Sequence, residues 1–98
     1  MEDVSCITND PYALYVGYTS MCMSCKIRLY EVEKISHLIS NMKFYKMDVN
    51  ENKDLVYDLK ISKIPFFILS KDGKVSEIFY TYNSVEELYI KLIRFIRG

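Results

Sequence analysis

The sequence predicts an α/β domain in which helices flank a central mixed β-sheet. Two strand-like apolar runs in the first half are separated by a stretch with helical periodicity, which is typical of a β–α–β unit. In the second half, Asp72-Gly73 lies between two further apolar runs and is a strong β-hairpin signal. A capping box at residues 84–87 then opens a last amphipathic helix.

The chain has the size and composition of one domain, residues 1–98. Half of its residues are hydrophobic and 14% are aromatic, which is enough to build a core in a domain of this length. The predicted order of elements is β, β, α, β, α, β, β, α. No internal repeat, linker or low-complexity segment interrupts it.

The first half of the chain is predicted to contain the β–α–β unit. Residues 4–7 fit a short strand, and residues 13–19 are continuously apolar or aromatic, as in a buried central strand. From Cys22 to about Ser40, apolar residues recur at spacings of three and four, which predicts an amphipathic helix. Residues 43–49 alternate in polarity and predict a strand parallel to the one at residues 13–19, because the long helix joins the two by a right-handed crossover.

The second half is predicted to contain a short helix, a hairpin and the closing helix. Asn50 or Asn52 is expected to cap the short helix, which runs to about Leu59. Residues 64–70 and 75–82 are expected to pair as the antiparallel strands of the hairpin. The apolar face of the closing helix consists of Leu88, Leu92, Phe95 and Ile96.

Charge and composition argue against several classes of partner. Thirteen basic residues balance 13 acidic ones without a block of like charge, so neither nucleic acid nor an anionic membrane is expected as a partner. The longest apolar run, IPFFIL, is strand-sized, and the acidic N-terminus does not fit a secretory signal. Three cysteines are an odd number, so a structural disulfide framework is not expected. The simplest compartment is a reducing one, and we expect a cytoplasmic protein.

Cys22 and Cys25 are the strongest functional signal in the sequence. Cys22 lies where a strand ends and a helix begins, and the first turn of a helix presents free N–H groups that stabilise a thiolate. Cys25 follows one turn later, within bonding distance of the first sulfur. The expected chemistry is an exposed attacking thiol and a shielded resolving thiol, with Lys26 adding positive potential.

The cysteine pair has two other interpretations. Both side chains would simply pack in the core, or both would bind a metal. Zinc usually takes four ligands, and only Cys6 and His37 remain, neither in a second paired motif, so no metal site is predicted within the chain. A cluster shared between two chains has equally little support. Cys6 is predicted to be a small buried hydrophobe, and His37 a solvated surface residue.

Pro65 opens an otherwise strong strand. Proline is tolerated at a first strand position, where a trans peptide bond is the default. When this proline is considered together with the upstream cysteine pair, however, the chain resembles the thioredoxin family from about Ala13 to Phe95. The resemblance rests on the segments CMSCK, FYKMDVNEN and LKISKIPFFILSKDGK and on the order of the elements around them.

The resemblance implies a thioredoxin fold and a role for each matching residue. Cys22 would attack a protein disulfide and Cys25 would resolve the mixed disulfide. Pro65 would be a cis-proline facing the disulfide, and Ile64 would offer its backbone to an extended segment of the substrate protein. The resemblance also implies no bound cofactor beyond the redox-active disulfide, and an electron donor that is a thioredoxin-reductase-like protein or another thiol system.

The rim of the site departs from the usual thioredoxin pattern. Met21 replaces a tryptophan, and Met23-Ser24 replace Gly-Pro. Thr81 replaces a glycine beside the substrate groove. We expect Met21, Met23 and Thr81 to contact substrate, the methionines as a flexible apolar rim.

The residues that usually tune the thiols also differ. Val16 occupies the position of a buried aspartate that is thought to help deprotonate the resolving thiol, which would leave Lys46 without its usual partner. Exchange is therefore expected to use water or another group for proton transfer. The predicted function is a thiol–disulfide oxidoreductase. The alternatives are a thioredoxin-fold binding module with little turnover, and a disulfide donor or isomerase.

Overall fold

A computed structural model describes residues 1–98 as a five-stranded mixed sheet with helices on both faces. The strands are arranged in the order β1-β3-β2-β4-β5 across the sheet. In chain order the elements are β1 (Glu2–Asp3), β2 (Tyr12–Tyr18), α1 (Met23–Ser36), β3 (Lys43–Asp48), a 3₁₀ turn (Val49–Glu51), α2 (Lys53–Asp58), β4 (Phe66–Lys71), β5 (Lys74–Phe79) and α3 (Val85–Arg97).

The strand pairings confirm the parallel pair and the hairpin that the sequence predicts. β2 and β3 are parallel and are joined through α1, while β4 runs antiparallel to both β2 and β5. The register pairs Val16 of β2 with Lys46 of β3, and Gly17 of β2 with Phe66 of β4. The Gly17–Phe66 pair is the last one at that end of the β2–β4 ladder.

The core forms two layers because β2 is buried on both faces. Leu14 and Val16 pack in the larger cluster, together with residues of α1 and α3. Ala13 and Tyr15 point to the opposite face and pack in a smaller cluster, against which α2 is placed. A strand that is covered on both faces has no polar side, which explains the continuous apolar run in the sequence.

A hydrogen-bonded group attaches the loop before β2 to the sheet. The buried Tyr15 hydroxyl accepts from the Thr8 backbone N–H at 2.8 Å and lies 3.2 Å from the Ser70 hydroxyl. Tyr45 donates to the Asp10 carboxylate at 2.6 Å. Hydrogen bonds from Thr8 and Tyr45 hold the pKa of Asp10 below its usual value, and the bond to Asp10 raises the pKa of Tyr45 to about 12.

The closing helix begins at the predicted capping box. Ser84 is the N-cap, and its hydroxyl accepts from the Glu87 backbone N–H at 3.1 Å. Glu87 in turn accepts from the backbone N–H of Asn83, one residue before the cap. Glu86 and Glu87 in the first turn, and two arginines in the last, match the polarity of the helix dipole.

Several predicted boundaries were wrong. The first strand is Glu2–Asp3 and not residues 4–7, although the Val4 N–H still donates to the Lys46 carbonyl. The long helix stops at Ser36, because the next N–H groups donate to carbonyls three residues back and tighten the chain into a turn. The last strand ends at Phe79 and not at residue 82.

β4 begins at Phe66, two residues later than predicted. Pro65 has no N–H group to donate to a neighbouring strand, so regular pairing starts only after it.

No helix of the chain is both long and apolar enough to cross a lipid bilayer.

Candidate active site

Three segments meet at one edge of the sheet. β2 ends there and leads into α1, and β4, which runs the opposite way, begins there. β5 is antiparallel to β4, so it ends at the same edge, where Phe67 pairs with Phe79. The fold therefore brings Cys22, Pro65 and Thr81 to one edge, although they lie far apart in the sequence.

Cys22 and Cys25 form a disulfide at the start of α1, with their Cα atoms 5.2 Å apart. Cys22 is the N-cap residue, and its sulfur accepts from the Cys25 backbone N–H at 3.1 Å. Cys22 is partly exposed, whereas Cys25 is fully buried against the core. An incoming substrate sulfur can therefore reach Cys22 but not Cys25, and Cys25 is held beside the sulfur that it would displace.

Ser24 contacts the accessible sulfur, a role that the sequence analysis missed. Its hydroxyl oxygen lies 3.4 Å from the Cys22 sulfur. In the disulfide the sulfur carries no proton, so the hydroxyl is the donor. When Cys22 is reduced, the same bond is available to its thiolate, and hydrogen bonds to charged acceptors are stronger than those to neutral ones. A serine at the second helical position was the available signal, since short polar side chains in the first turn bond back towards the cap.

We expect Ser24→Ala to make the Cys22 thiolate harder to form. In the reduced protein, the midpoint of the pH profile for iodoacetamide alkylation is expected to rise by about half a pH unit. This corresponds to a loss of roughly 0.7 kcal/mol at an exposed hydrogen bond. Ser24→Thr keeps the hydroxyl and should restore the midpoint. An unchanged midpoint in Ser24→Ala would mean that the hydroxyl does not act on the thiolate.

The rim of the site is apolar and solvent-facing. Met21 is 89% exposed, Met23 70% and Ile64 41%. The peptide bond between Ile64 and Pro65 is cis. Thr81 is exposed in the loop after β5. Met21, Met23 and Ile64 therefore leave large hydrophobic side chains exposed to solvent around the disulfide.

Lys46 does not lack a partner, contrary to expectation. It lies opposite Val16 in the sheet, but its ammonium group is 3.7 Å from the Asp3 carboxylate and 5.7 Å from the centre of the Tyr18 ring. Val16 itself is fully buried. Lys26 is exposed and has no carboxylate within ion-pair distance, so its positive charge is unpaired next to Cys25 in the sequence.

A second residue group near the site was also missed. Arg28 stacks over the Tyr82 ring at 4.1 Å and donates to Glu31 at 2.9 Å, while the Tyr82 hydroxyl donates to the same carboxylate. The bond from Tyr82, followed by that from Arg28, keeps the pKa of Glu31 below its usual value, and burial raises the pKa of Tyr82. The group attaches the loop that carries Thr81 to α1. Only the Arg28–Glu31 spacing was readable from the sequence.

Cys6 is exposed and unpaired, so the prediction that it is buried was wrong. It lies in the loop between β1 and β2, which the short first strand leaves outside the sheet. No three His, Cys, Asp or Glu side chains are grouped so that they would hold a metal ion.

Comparison with known proteins agrees with this geometry. The thioredoxin family model matches residues 5–94, and the chain belongs to the thioredoxin family. It is 31% identical over 83 residues to the thioredoxin-like protein YusE of Bacillus subtilis, a match that spans 85% of this chain and 77% of YusE. It is 37% identical over 62 residues to thioredoxin AMT13 of Alternaria alternata, across 62% of this chain but only 52% of that protein.

The crystal structure of thioredoxin from Trypanosoma brucei brucei has the same fold. It superposes with a TM-score of 0.83 over 98% of this chain and 90% of that one, at 24% identity. The family and the disulfide-bonded pair define a thiol–disulfide oxidoreductase of the thioredoxin class. The predicted thioredoxin fold is confirmed.

Proposed function

We propose that this oxidoreductase reduces disulfides of protein substrates, with Cys22 as the attacking thiol and Cys25 as the resolving thiol. One observation carries the assignment. The Cys22 sulfur is accessible at a helix N-cap, and Cys25 is buried one turn later at disulfide distance. Attack requires access and a stabilised thiolate, whereas resolution requires only closeness.

The reaction balances without a cofactor. The Cys22 thiolate attacks one sulfur of the substrate disulfide, and the other substrate sulfur leaves as a thiolate and takes a proton. The Cys25 thiolate then attacks the Cys22 sulfur and releases the second substrate thiol. The substrate gains two electrons and two protons, and the Cys22–Cys25 pair becomes a disulfide. A thioredoxin-reductase-like protein or another thiol donor returns the pair to the dithiol.

The exposure of Ile64, which lies just before β4 at the edge of the sheet where α1 begins, supports a docking role for this segment. We infer that the backbone of Ile64 pairs with an extended part of the substrate while Pro65 faces the disulfide, and that Met21, Met23 and Thr81 complete the surface. The expected direction is reduction in a reducing, cytoplasmic compartment. Potentials of such pairs range from about −270 to about −120 mV, so the measured potential of the Cys22–Cys25 pair decides between reductase and disulfide donor.

Trapping with Cys25→Ser tests the two-step mechanism. Without the resolving thiol, the mixed disulfide with Cys22 cannot collapse and should accumulate. Incubation with insulin is expected to give a covalent adduct, visible by mass spectrometry, that dithiothreitol removes. The matched Cys6→Ser variant should reduce insulin without accumulating an adduct. If the protein instead retains partners after complete thiol blocking and forms no adduct, it is a binding module and the proposal is wrong.

A further inference from the structure

The outward face of α1 carries a row of large apolar side chains. Met23, Ile27 and Tyr30 are 70%, 58% and 63% exposed, and we call these three residues the α1 stripe. They recur at intervals of four and three residues, so they line one side of the helix. The opposite side of α1 is buried in the domain and carries Cys25, Val32 and Ile35. The stripe therefore has no partner within the domain.

The stripe begins at the reactive disulfide. Met23 directly follows Cys22, and Tyr30 lies seven residues further along α1, or about 10 Å along the helix axis. An extended peptide covers that distance with about three residues. When a substrate cysteine is bonded to Cys22, substrate residues about three positions from that cysteine would therefore reach Tyr30.

The unpaired charge around the stripe has one sign. Lys26 and Lys34 are exposed and flank the stripe on the helix, and the Lys34 ammonium lies 4.6 Å from the centre of the Tyr30 ring. Neither lysine has a carboxylate within ion-pair distance. The acidic residues of α1 are engaged elsewhere, Glu31 with Arg28 and Glu33 with Ser36 and the terminal amine. The face therefore offers apolar contact together with unmatched positive charge.

We propose that the α1 stripe binds the segment next to the reactive cysteine of the substrate protein, and that it selects segments that carry both apolar and acidic residues. The apolar side chains would cover Met23, Ile27 and Tyr30, and the carboxylates would approach Lys26 and Lys34. This inference rests on the proposed function, because it specifies which disulfides the same cysteines reduce. Charge pairs at an exposed rim act mainly on the association rate and on specificity, so selection should depend on salt.

Three disulfides test the proposal. One is the symmetric disulfide of a short peptide that carries leucine and aspartate residues on both sides of the cysteine, and the second has lysine in place of each aspartate. The third is hydroxyethyl disulfide, which reaches only the thiols. Rates are measured with the reduced protein by alkylation and mass spectrometry, relative to the rates with dithiothreitol. The wild type is expected to reduce the acidic peptide about tenfold faster than the basic one at low salt.

The Ile27→Ser/Tyr30→Ser double variant should separate docking from chemistry. We expect it to reduce the acidic peptide about tenfold more slowly, while its rate with hydroxyethyl disulfide stays within about twofold. Ile90→Ser, at an exposed apolar residue of α3, is the matched control and should change neither rate. An equal loss with both substrates, or no loss with the peptide, would overturn the proposal.

A charge reversal gives a second, independent measurement. Lys26→Glu/Lys34→Glu should invert the preference between the two peptides, because both cations that flank the stripe change sign. An unchanged preference would overturn the proposed selectivity. If the wild type reduced none of the three disulfides, the proposed function itself would fail. Reduction of hydroxyethyl disulfide without any peptide preference would overturn only the docking proposal.

Discussion

Cys22→Ser is expected to remove insulin-disulfide reduction, lowering the rate by about a thousandfold or more. A serine hydroxyl is not ionised near neutral pH and is a poor attacking group for sulfur, whereas a thiolate at a helix N-cap is a good one. Cys25 does not replace it, because its side chain is fully buried. The measurement is turbidity of reduced insulin chains with dithiothreitol as the electron source.

Two comparisons make this result specific. Cys6→Ser removes the exposed free thiol and should retain the wild-type rate, which would show that Cys6 is not required for reduction. Circular dichroism of wild type and Cys22→Ser, both under reducing conditions, checks that the variant folds without the disulfide. If wild type and Cys22→Ser were equally inactive with several reductants and substrates, general reductase activity would be excluded.

The reactive pair was predictable because its signal is local. A cysteine at a strand-to-helix junction, with a second one turn later, specifies both the N-cap position and the spacing of the sulfurs. The capping box before α3 and the Asp72-Gly73 turn are short-range signals of the same kind, and both elements were found where expected. Element type and topology followed from these signals together with hydrophobic periodicity.

The contacts that join distant segments were not predictable from the sequence. Tyr82 packs under Arg28 and bonds to Glu31, across more than 50 residues of chain, and nothing in the local pattern of either segment indicates it. Lys46 pairs with Asp3 because β1 lies beside β3, and the predicted position of that strand was wrong. Cys6 is exposed for the same reason, since it follows a strand shorter and earlier than expected.

Gly17 is the second residue that we expect to be highly sensitive to substitution. It needs no unusual backbone conformation, so the constraint is space alone. A Cβ atom at Gly17 would lie 2.0, 2.1 and 2.3 Å from three atoms of the Phe66 ring, far inside van der Waals contact. Phe66 is fully buried in the smaller core cluster, so its ring has no free volume to move into.

We therefore expect Gly17→Ala to lower the free energy of unfolding by about 3 kcal/mol, at the upper end of the cost of overpacking. The melting temperature should fall by roughly 15 °C for a domain of this size, as measured by circular dichroism. In the Phe66→Leu background the same substitution should cost much less, because the smaller side chain leaves room for the methyl group. Equal costs in both backgrounds would show that the ring is not the obstacle.

Gly17→Ala should also impair thiol–disulfide exchange, because the Gly17–Phe66 contact lies next to the active site. Gly17 and Phe66 form the last pair of the β2–β4 ladder, directly before the segments that carry Cys22 and Pro65. If the ring and its strand shift to accept a methyl group, Pro65 shifts relative to Cys22, and a displacement of about 1 Å at a reacting centre can cost a hundredfold in rate. The rates of Gly17→Ala and wild type are compared well below the melting temperature. The variant is expected to lose more of its rate with insulin than with hydroxyethyl disulfide, because only insulin needs the Pro65 segment. Loss of stability without this difference would mean that the Gly17–Phe66 contact supports the fold but does not position the substrate.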